Sequence, residues 1–447
     1  MDVLGILPAP VSARSDGGPP FAVSPGVRIV VDEEPDAVAV AVLVAGRVGR
    51  LGDFPVAVVH TDDGTPGSVV LRLMAEPDAT PEVIRRLLPT LGIPTALPPE
   101  LAREAYRIGV TTDRVEVLAA TAAGLVRGAA TLVQLVDHST APWPSVPCVT
   151  VVDHPRLAWR GLQVDVSEHP LALADAKAIV NVLATLRMNV LHVRVADGVA
   201  WVPDVLEEGG AVASGFAELQ AYAAARQIAV VPEIDVAGGR LDDDRLTEVL
   251  GRVAATTRAH VVHVGGRVGG AADGPPAHRC GDRVGRGADD VVAAGAVVMA
   301  WQCAATALSS ARHPGHLLQV GDVTDPALAP AVADGAALVL SPPELDLGVA
   351  TVTLRERYGA DPVGAVEAAG LPAGAVLGVE ALVGGAHGGT REGLFLALLP
   401  DLAAVAELAW SGSGAPGWAS FVERVALESS RWRDDGLPVP VAVDRAL

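Results

Sequence analysis

The feature that most constrains the fold of this 447-residue chain is an eightfold alternation of short apolar runs with longer helix-patterned stretches. From Trp159 onward, strand-like segments fall at 160–166, 189–195, 228–234, 260–265, 296–301, 316–320, 337–341 and 375–381. Helical stretches such as 171–186, 214–226 and 243–258 lie between them. A strand that returns to a sheet through a helix pairs parallel to its predecessor, because the crossover carries the chain back to the starting edge. Eight such units within residues 154–447 predict a (β/α)8 barrel, a fold that typically needs about 250 residues. In that architecture the active site lies at the C-terminal ends of the strands. Strand-end residues therefore carry the functional information, and the rest mostly carries stability.

Residues 1–153 read as a smaller, separate α/β domain. The strand-like runs VRIVV, VAVVH, SVVLRLM and YRIGVTTDRVEVLA alternate with helical stretches such as AVAVAVLVAGRVGRL and TAAGLVRGAATLVQLVD. The Pro-rich stretch APWPSVPCVTVVDHPR is expected to be a linker. The predicted organisation is thus an N-terminal α/β domain over 1–153 and a barrel over 154–447.

Composition narrows the partners. The formal charge of −20 argues against nucleic acid or an anionic membrane, since both are held by basic patches. No uncharged apolar run reaches the roughly 18 residues at which a membrane span becomes credible. Cys148, Cys280 and Cys303 form no CxxC or other metal-ligand spacing, and so low and odd a count gives no disulfide framework. The first residues, MDVLGILPAP, lack the basic and long apolar regions of a signal peptide, so a cytoplasmic protein is expected. Half of the residues are hydrophobic but only 3% are aromatic, which leaves few rings for a sugar-stacking platform. No cofactor is predicted.

At the strand ends the chain resembles glycoside hydrolase family 20, the β-N-acetylhexosaminidases. The likeness runs through EAYRIGV and GLVRGAATLVQLV in the first domain, then HPRLAWRGLQVDVSEH, NVLHVRVADGVAW and VVPEID on the first three barrel strands. HVGG follows at the fourth strand, LGVEA at the eighth and LPDLAAVAELAW in the closing helix. The resemblance implies substrate assistance, in which the sugar's own 2-acetamido oxygen attacks the anomeric carbon. The protein then supplies an Asp that orients the acetamido group and a neighbouring Glu that protonates the leaving oxygen, both in an HxGGDE motif. Here the stretch reads His263, Val264, Gly265, Gly266, Arg267, Val268. Arg267 stands at the Asp position and Val268 at the Glu position, so the resemblance implies a barrel without its catalytic pair.

The family's sugar-binding positions are altered as well. Its first-strand Arg aligns with Glu168, and the His ending its PEIDxPGH motif aligns with Gly239. Its second-strand HxHxTDDQGW motif aligns with His192, Arg194, Ala196, Asp197, Gly198, Val199, Ala200 and Trp201. Its sixth-strand Trp aligns with Gly321 and the Tyr of its YxD motif with Glu344. The Trp and Glu of its eighth-strand motif fall in the stretch holding Gly384 and Ala386. Asp197, Trp301 and Asp346 remain as vestigial substrate-binding positions. The expectation is a catalytically inactive homologue whose ligand is a protein partner or a weakly held carbohydrate. The alternative is an active glycosidase using displaced carboxylates, with Asp197, Glu168 and Asp346 as candidates.

Two further groupings have a bland and a sharp reading. Asp165, His192, Glu233 and Asp235 form either a residual binding cluster or a hydrogen-bonded polar layer kept for packing, and missing ligand-facing partners favour the layer. His169, His192 and His263 with Asp197 could offer imidazole and carboxylate to a divalent metal. They come from separate strands without an HxxxH pair, so no metal site is predicted.

Overall fold

The structure, a computed structural model, describes residues 4–137, 142–166, 171–195, 214–236, 242–266, 277–349, 351–384, 389–411 and 415–440. All eight predicted barrel strands form. They are β1 (Trp159–Asp165), β2 (Val190–Val195), β3 (Ala229–Ile234), β4 (Val261–His263), β5 (Val297–Trp301), β6 (Leu317–Val320), β7 (Ala337–Leu340) and β8 (Val376–Val383). Each pairs parallel with the next, and β8 pairs back onto β1 from Trp159↔Gly378 to Val164↔Val383, which closes the barrel.

Strand alternation sorts the side chains. Leu162, Val164, Leu191, Val193, Val230, Val262, Val298 and Leu318 point outward into one large apolar cluster with the surrounding helices. The inward positions stack in layers, as barrel interiors do. An apolar floor of Trp159, Val190, Val231, Met299, Leu317 and Val339 plugs the bottom. Above it, the inward residues of the middle layer are polar: Gln163, His192, Glu233, His263, Gln319 and Glu380, all buried. The top layer opens at the mouth.

The N-terminal domain is a seven-stranded mixed sheet. Its strands run in the order Ser12–Ser15, Val149–Asp153, Tyr106–Val110, Arg114–Ala119, Ser68–Leu73, Arg28–Val31, Ala57–Val59. Helices Pro35–Gly52 and Ala122–Leu135 contribute to its core. Glu34 caps the first by accepting the Ala37 N–H, and Thr121 caps the second by accepting that of Gly124. The expected linker is corrected here. Its Val149–Asp153 segment is an integral strand, paired antiparallel on both sides, because VTVVD alternates buried and half-buried positions as a sheet strand must.

That strand ends at a buried joint with the barrel. The Asp153 carboxylate accepts hydrogen bonds from Tyr106 Oη (2.5 Å), Arg187 Nη1 (2.9 Å) and Trp410 Nε1 (3.0 Å). Trp410 closes the helix Asp401–Trp410, lies in the N-terminal domain's apolar cluster, and stands with Arg160 and Arg187 5.0 and 4.8 Å from its ring.

Candidate functional site at the barrel mouth

The middle polar layer is the foundation of the site. His192 projects inward from β2, with Nδ1 2.8 Å from Glu380 Oε1 and Nε2 3.2 Å from Glu233 Oε2. Glu380 also accepts from Trp159 Nε1 (2.9 Å) and Gln319 Nε2 (3.0 Å), and Gln163 Nε2 donates to Glu233. Burial works against a charge on His192, but Glu380 and Glu233 outweigh it and raise the imidazole to about 9. His263 goes the other way. Burial, then the cations of His192 and Arg194, hold it well below the ordinary range. Its Nδ1 accepts the Gly265 N–H at 3.0 Å, which leaves the ring proton on Nε2.

His192, Glu233 and His263 bring donor atoms within 4.8 Å of one another, a set whose types suit zinc. In this structure these atoms are already engaged: His192 lies between Glu380 and Glu233, and the His263 Nδ1 lone pair accepts the Gly265 N–H. We read the set as part of the hydrogen-bonded polar layer.

The top layer is organised by Arg194, two residues on from His192 and therefore on the same inward face. Its Nη1 lies 2.7 Å from Asp165 Oδ2 of β1, its Nη2 2.8 Å from Asp235 Oδ2 just beyond β3, and its Nε 3.6 Å from Glu233 Oε1. These carboxylates hold the guanidinium pKa above its already high ordinary value despite partial burial. Above lies a cavity of about 260 Å³, lined on its polar side by Gln163, Asp165, Arg194 and Asp346 and on its apolar side by Trp301, Val349, Leu382 and Val383. Ligand pockets usually measure about 300–1,000 Å³, so this one is small.

The predicted site residues fall as follows. Trp301, at the end of β5, lines the cavity but is only 5% exposed, its ring edge-on to His263 at 6.2 Å. Asp346 follows a short turn after β7, accepts the Gly348 N–H at 2.9 Å and also lines the cavity. Glu344 is exposed and does not line the cavity. Gly321 and Gly384 both lack the positive φ that requires glycine. A Cβ at 321 would make ordinary contacts, and one at 384 would meet nothing within 4 Å. At these positions glycine simply leaves out a side chain. Gly265 and Gly266 do need to be glycine, with φ of 75° and 91°; a Cβ on Gly265 would come within 2.5 Å of Asp235 Oδ1. They carry the chain out of β4 toward Arg267. Arg267, Val268, Asp197, Glu168, Gly239 and Ala386 lie outside the described residues, as do His169 and Trp201.

Asp165, His192, Glu233 and Asp235 thus split between two levels. His192 and Glu233 belong to the buried layer, while Asp165 and Asp235 stand at the mouth on Arg194. Gln163, Gln319 and Glu380 were not predicted as site residues. Their signal was strand alternation, which places each on the inward face beside a residue already singled out.

Comparison with known proteins agrees with this architecture. Residues 3–154 match the family profile described as glycosyl hydrolase family 20, domain 2, and residues 157–241 match that described as glycosyl hydrolase family 20, catalytic domain. A β-N-acetylhexosaminidase from Cellulomonas fimi is 33% identical over 500 aligned positions, covering 97% of this chain and 95% of that protein. A β-hexosaminidase from Akkermansia muciniphila is 34% identical over 161 residues, covering 31% of this chain and 33% of that protein. Among solved structures, the family 20 β-N-acetylhexosaminidase of Streptomyces coelicolor superposes with a TM-score of 0.79 at 24% identity, over 99% of this chain and 98% of that one, a likeness of fold. The Streptomyces plicatus enzyme in complex with Thio-NAglucal gives 0.79 at 25% identity, over 99% and 97%.

Proposed function

The chain belongs to glycoside hydrolase family 20, and from that premise we propose that it is a β-N-acetylhexosaminidase homologue that does not hydrolyse glycosides. What supports this reading is the sequence leaving β4, His263-Val264-Gly265-Gly266-Arg267-Val268, in which the resemblance to the family's HxGGDE motif puts Arg267 and Val268 at the Asp and Glu positions. Valine has no proton to give a leaving oxygen, and a positioned general acid contributes about 10²–10⁴-fold in rate. A guanidinium at the Asp position would repel the cationic ring that the attacking acetamido group becomes. The mouth supports the same reading, since Gly321 and Gly384 offer no stacking face and Trp301 is almost wholly buried. Such a protein acts through contact with a protein partner or a weakly held carbohydrate, and the cytoplasm is the compartment we assign to it.

Assay of the purified chain on a chromogenic N-acetylglucosaminide tests this, with the Arg267→Asp/Val268→Glu double variant alongside. Wild type should show no turnover above the uncatalysed background. Turnover near 1 s⁻¹, an ordinary enzyme rate, would overturn the proposal. One observation keeps the active alternative in view: Asp346 lines the cavity, and loss of any such turnover in Asp346→Asn would identify it as the displaced carboxylate.

A further inference from the structure

We propose that the bottom of the barrel carries a second binding site, a cavity between the two domains that takes a small organic oxyanion. The inference goes beyond the non-hydrolytic reading and does not depend on it, because barrel active sites use the opposite, C-terminal ends of the strands. The cavity measures about 450 Å³, larger than the one at the mouth. That is within the range of about 300–1,000 Å³ usual for ligand pockets. Its barrel side is the start of β3 with the residues leading into β2 and β4. The facing side comes from the N-terminal domain, with Glu100, Arg103 and Glu104 beside Arg127 of the helix Ala122–Leu135.

These walls are cationic although the chain carries a formal charge of −20. Arg103 from one domain and Arg258 from the other line the cavity, are exposed, and make no ion pair among the described residues. Arg127 lines it too but is buried. Its Nε donates to Glu104 and its Nη1 and Nη2 to the carbonyls of Arg226 and Gln227, which engages three of the five N–H groups a guanidinium offers. Two donors are left for a ligand. Glu104 does not neutralise the cavity, because the oxygen that pairs with Arg127 also pairs with the buried Arg160 behind it. With Glu100 the only other acid in the lining, four guanidiniums stand against two carboxylates. Arginine forks match the paired oxygens of phosphate and carboxylate, and bonds to an ionised acceptor are roughly twice as strong as neutral ones. Ala224, Ile228, Val230 and Ala259 add an apolar side that a bare inorganic ion would leave unused, so the anion has an organic body.

Titration calorimetry on the full chain tests this, with glucose 6-phosphate, succinate, inorganic phosphate and neutral glucose as probes. Glucose 6-phosphate or succinate should bind with a Kd of about 1 mM or tighter, and the tighter of the two tells a phosphate ester from a carboxylate. Inorganic phosphate should bind at least about tenfold more weakly than that organic anion, glucose more weakly still, and high salt should weaken the anions. Arg103→Gln and Arg258→Gln remove exposed side chains that hold no ion pair, so both variants should keep the wild-type melting temperature. Each should weaken the organic anion at least about tenfold. Failure of both organic anions to reach millimolar affinity would overturn the inference. So would inorganic phosphate binding as tightly as they do, since the apolar side would then hold nothing. Undiminished binding in the folded Arg103→Gln/Arg258→Gln double variant would place the anion elsewhere on the molecule and overturn it as well.

Discussion

At the scale of single residues, His192 and His263 lie in contact yet respond oppositely to pH, and their opposition sets a testable profile. His192 is raised to about 9 by Glu380 and Glu233 against the cost of burial. A folded-state pKa above the ordinary value of 6.5 contributes stability that is complete below pH 6.5 and is lost as pH rises through about 9. His263 is depressed by burial and by the neighbouring cations, so its neutral form is favoured in the fold. Its contribution is present above pH 6.5 and is lost as pH falls below that value. Together the two place the stability maximum of this layer near pH 6.5. Urea unfolding of wild type and His192→Gln should show the gap between them shrinking by something on the order of 3 kcal/mol from pH 6.5 to 9. A gap that stays constant over that window would mean His192 is neutral in the folded protein. The two histidines were legible in the sequence as strand-end residues, but their charges were not. A shifted pKa depends on which carboxylates other strands bring alongside, and that is a tertiary fact.

At the scale of elements, the barrel was legible because a parallel strand is buried on both faces and writes itself as a continuous apolar run between helices. The same rule explains what was missed. Val149–Asp153 sits in a Pro-rich stretch and alternates over only five residues, so turn signals masked a strand paired on both sides. Arg194 was visible at the second His of the second-strand motif, but its role was not. Its partners Asp165, Glu233 and Asp235 lie on or beside other strands, and only the register between strands brings them to one guanidinium. The end of the misread strand yields its own prediction. Asp153 and Arg187 are both wholly buried, and truncating one partner of such a pair leaves an uncompensated charge in the interior. Asp153→Ala should therefore destabilise the protein by about 3–5 kcal/mol in denaturant unfolding. A cost under about 1 kcal/mol, the range of exposed pairs, would show that water reaches Arg187 and that the joint is not sealed.

At the scale of the whole molecule, the joint raises the question of whether two domains behave as two. A 447-residue chain with a separate sheet and barrel would ordinarily unfold in steps, because all-or-none behaviour is a property of small single domains. Here the boundary is crossed by groups that neither side can leave unpaired. Trp410, from a barrel helix, is buried in the N-terminal domain's apolar cluster and donates its indole N–H to Asp153. Arg187, from the turn before β2, donates to Asp153, Thr131 and Tyr106 of the N-terminal domain. The first described residues thread between the two. Ala9 N–H donates to Glu407, and Arg424, itself paired with Glu407 at 2.5 Å, donates to the Ile6 carbonyl. Unfolding the N-terminal domain alone would expose Trp410, strand Arg187 and leave Glu407 short of a donor, all while the barrel stayed folded. Each of those losses falls on the barrel, so its stability should collapse with that of its neighbour. Calorimetry should accordingly give one heat-absorption peak whose van't Hoff and calorimetric enthalpies agree, and Asp153→Ala should move that single peak down without splitting it. Two resolved peaks in wild type would mean the joint is too weak to couple the domains. A peak that splits in Asp153→Ala would instead locate the coupling in that one carboxylate.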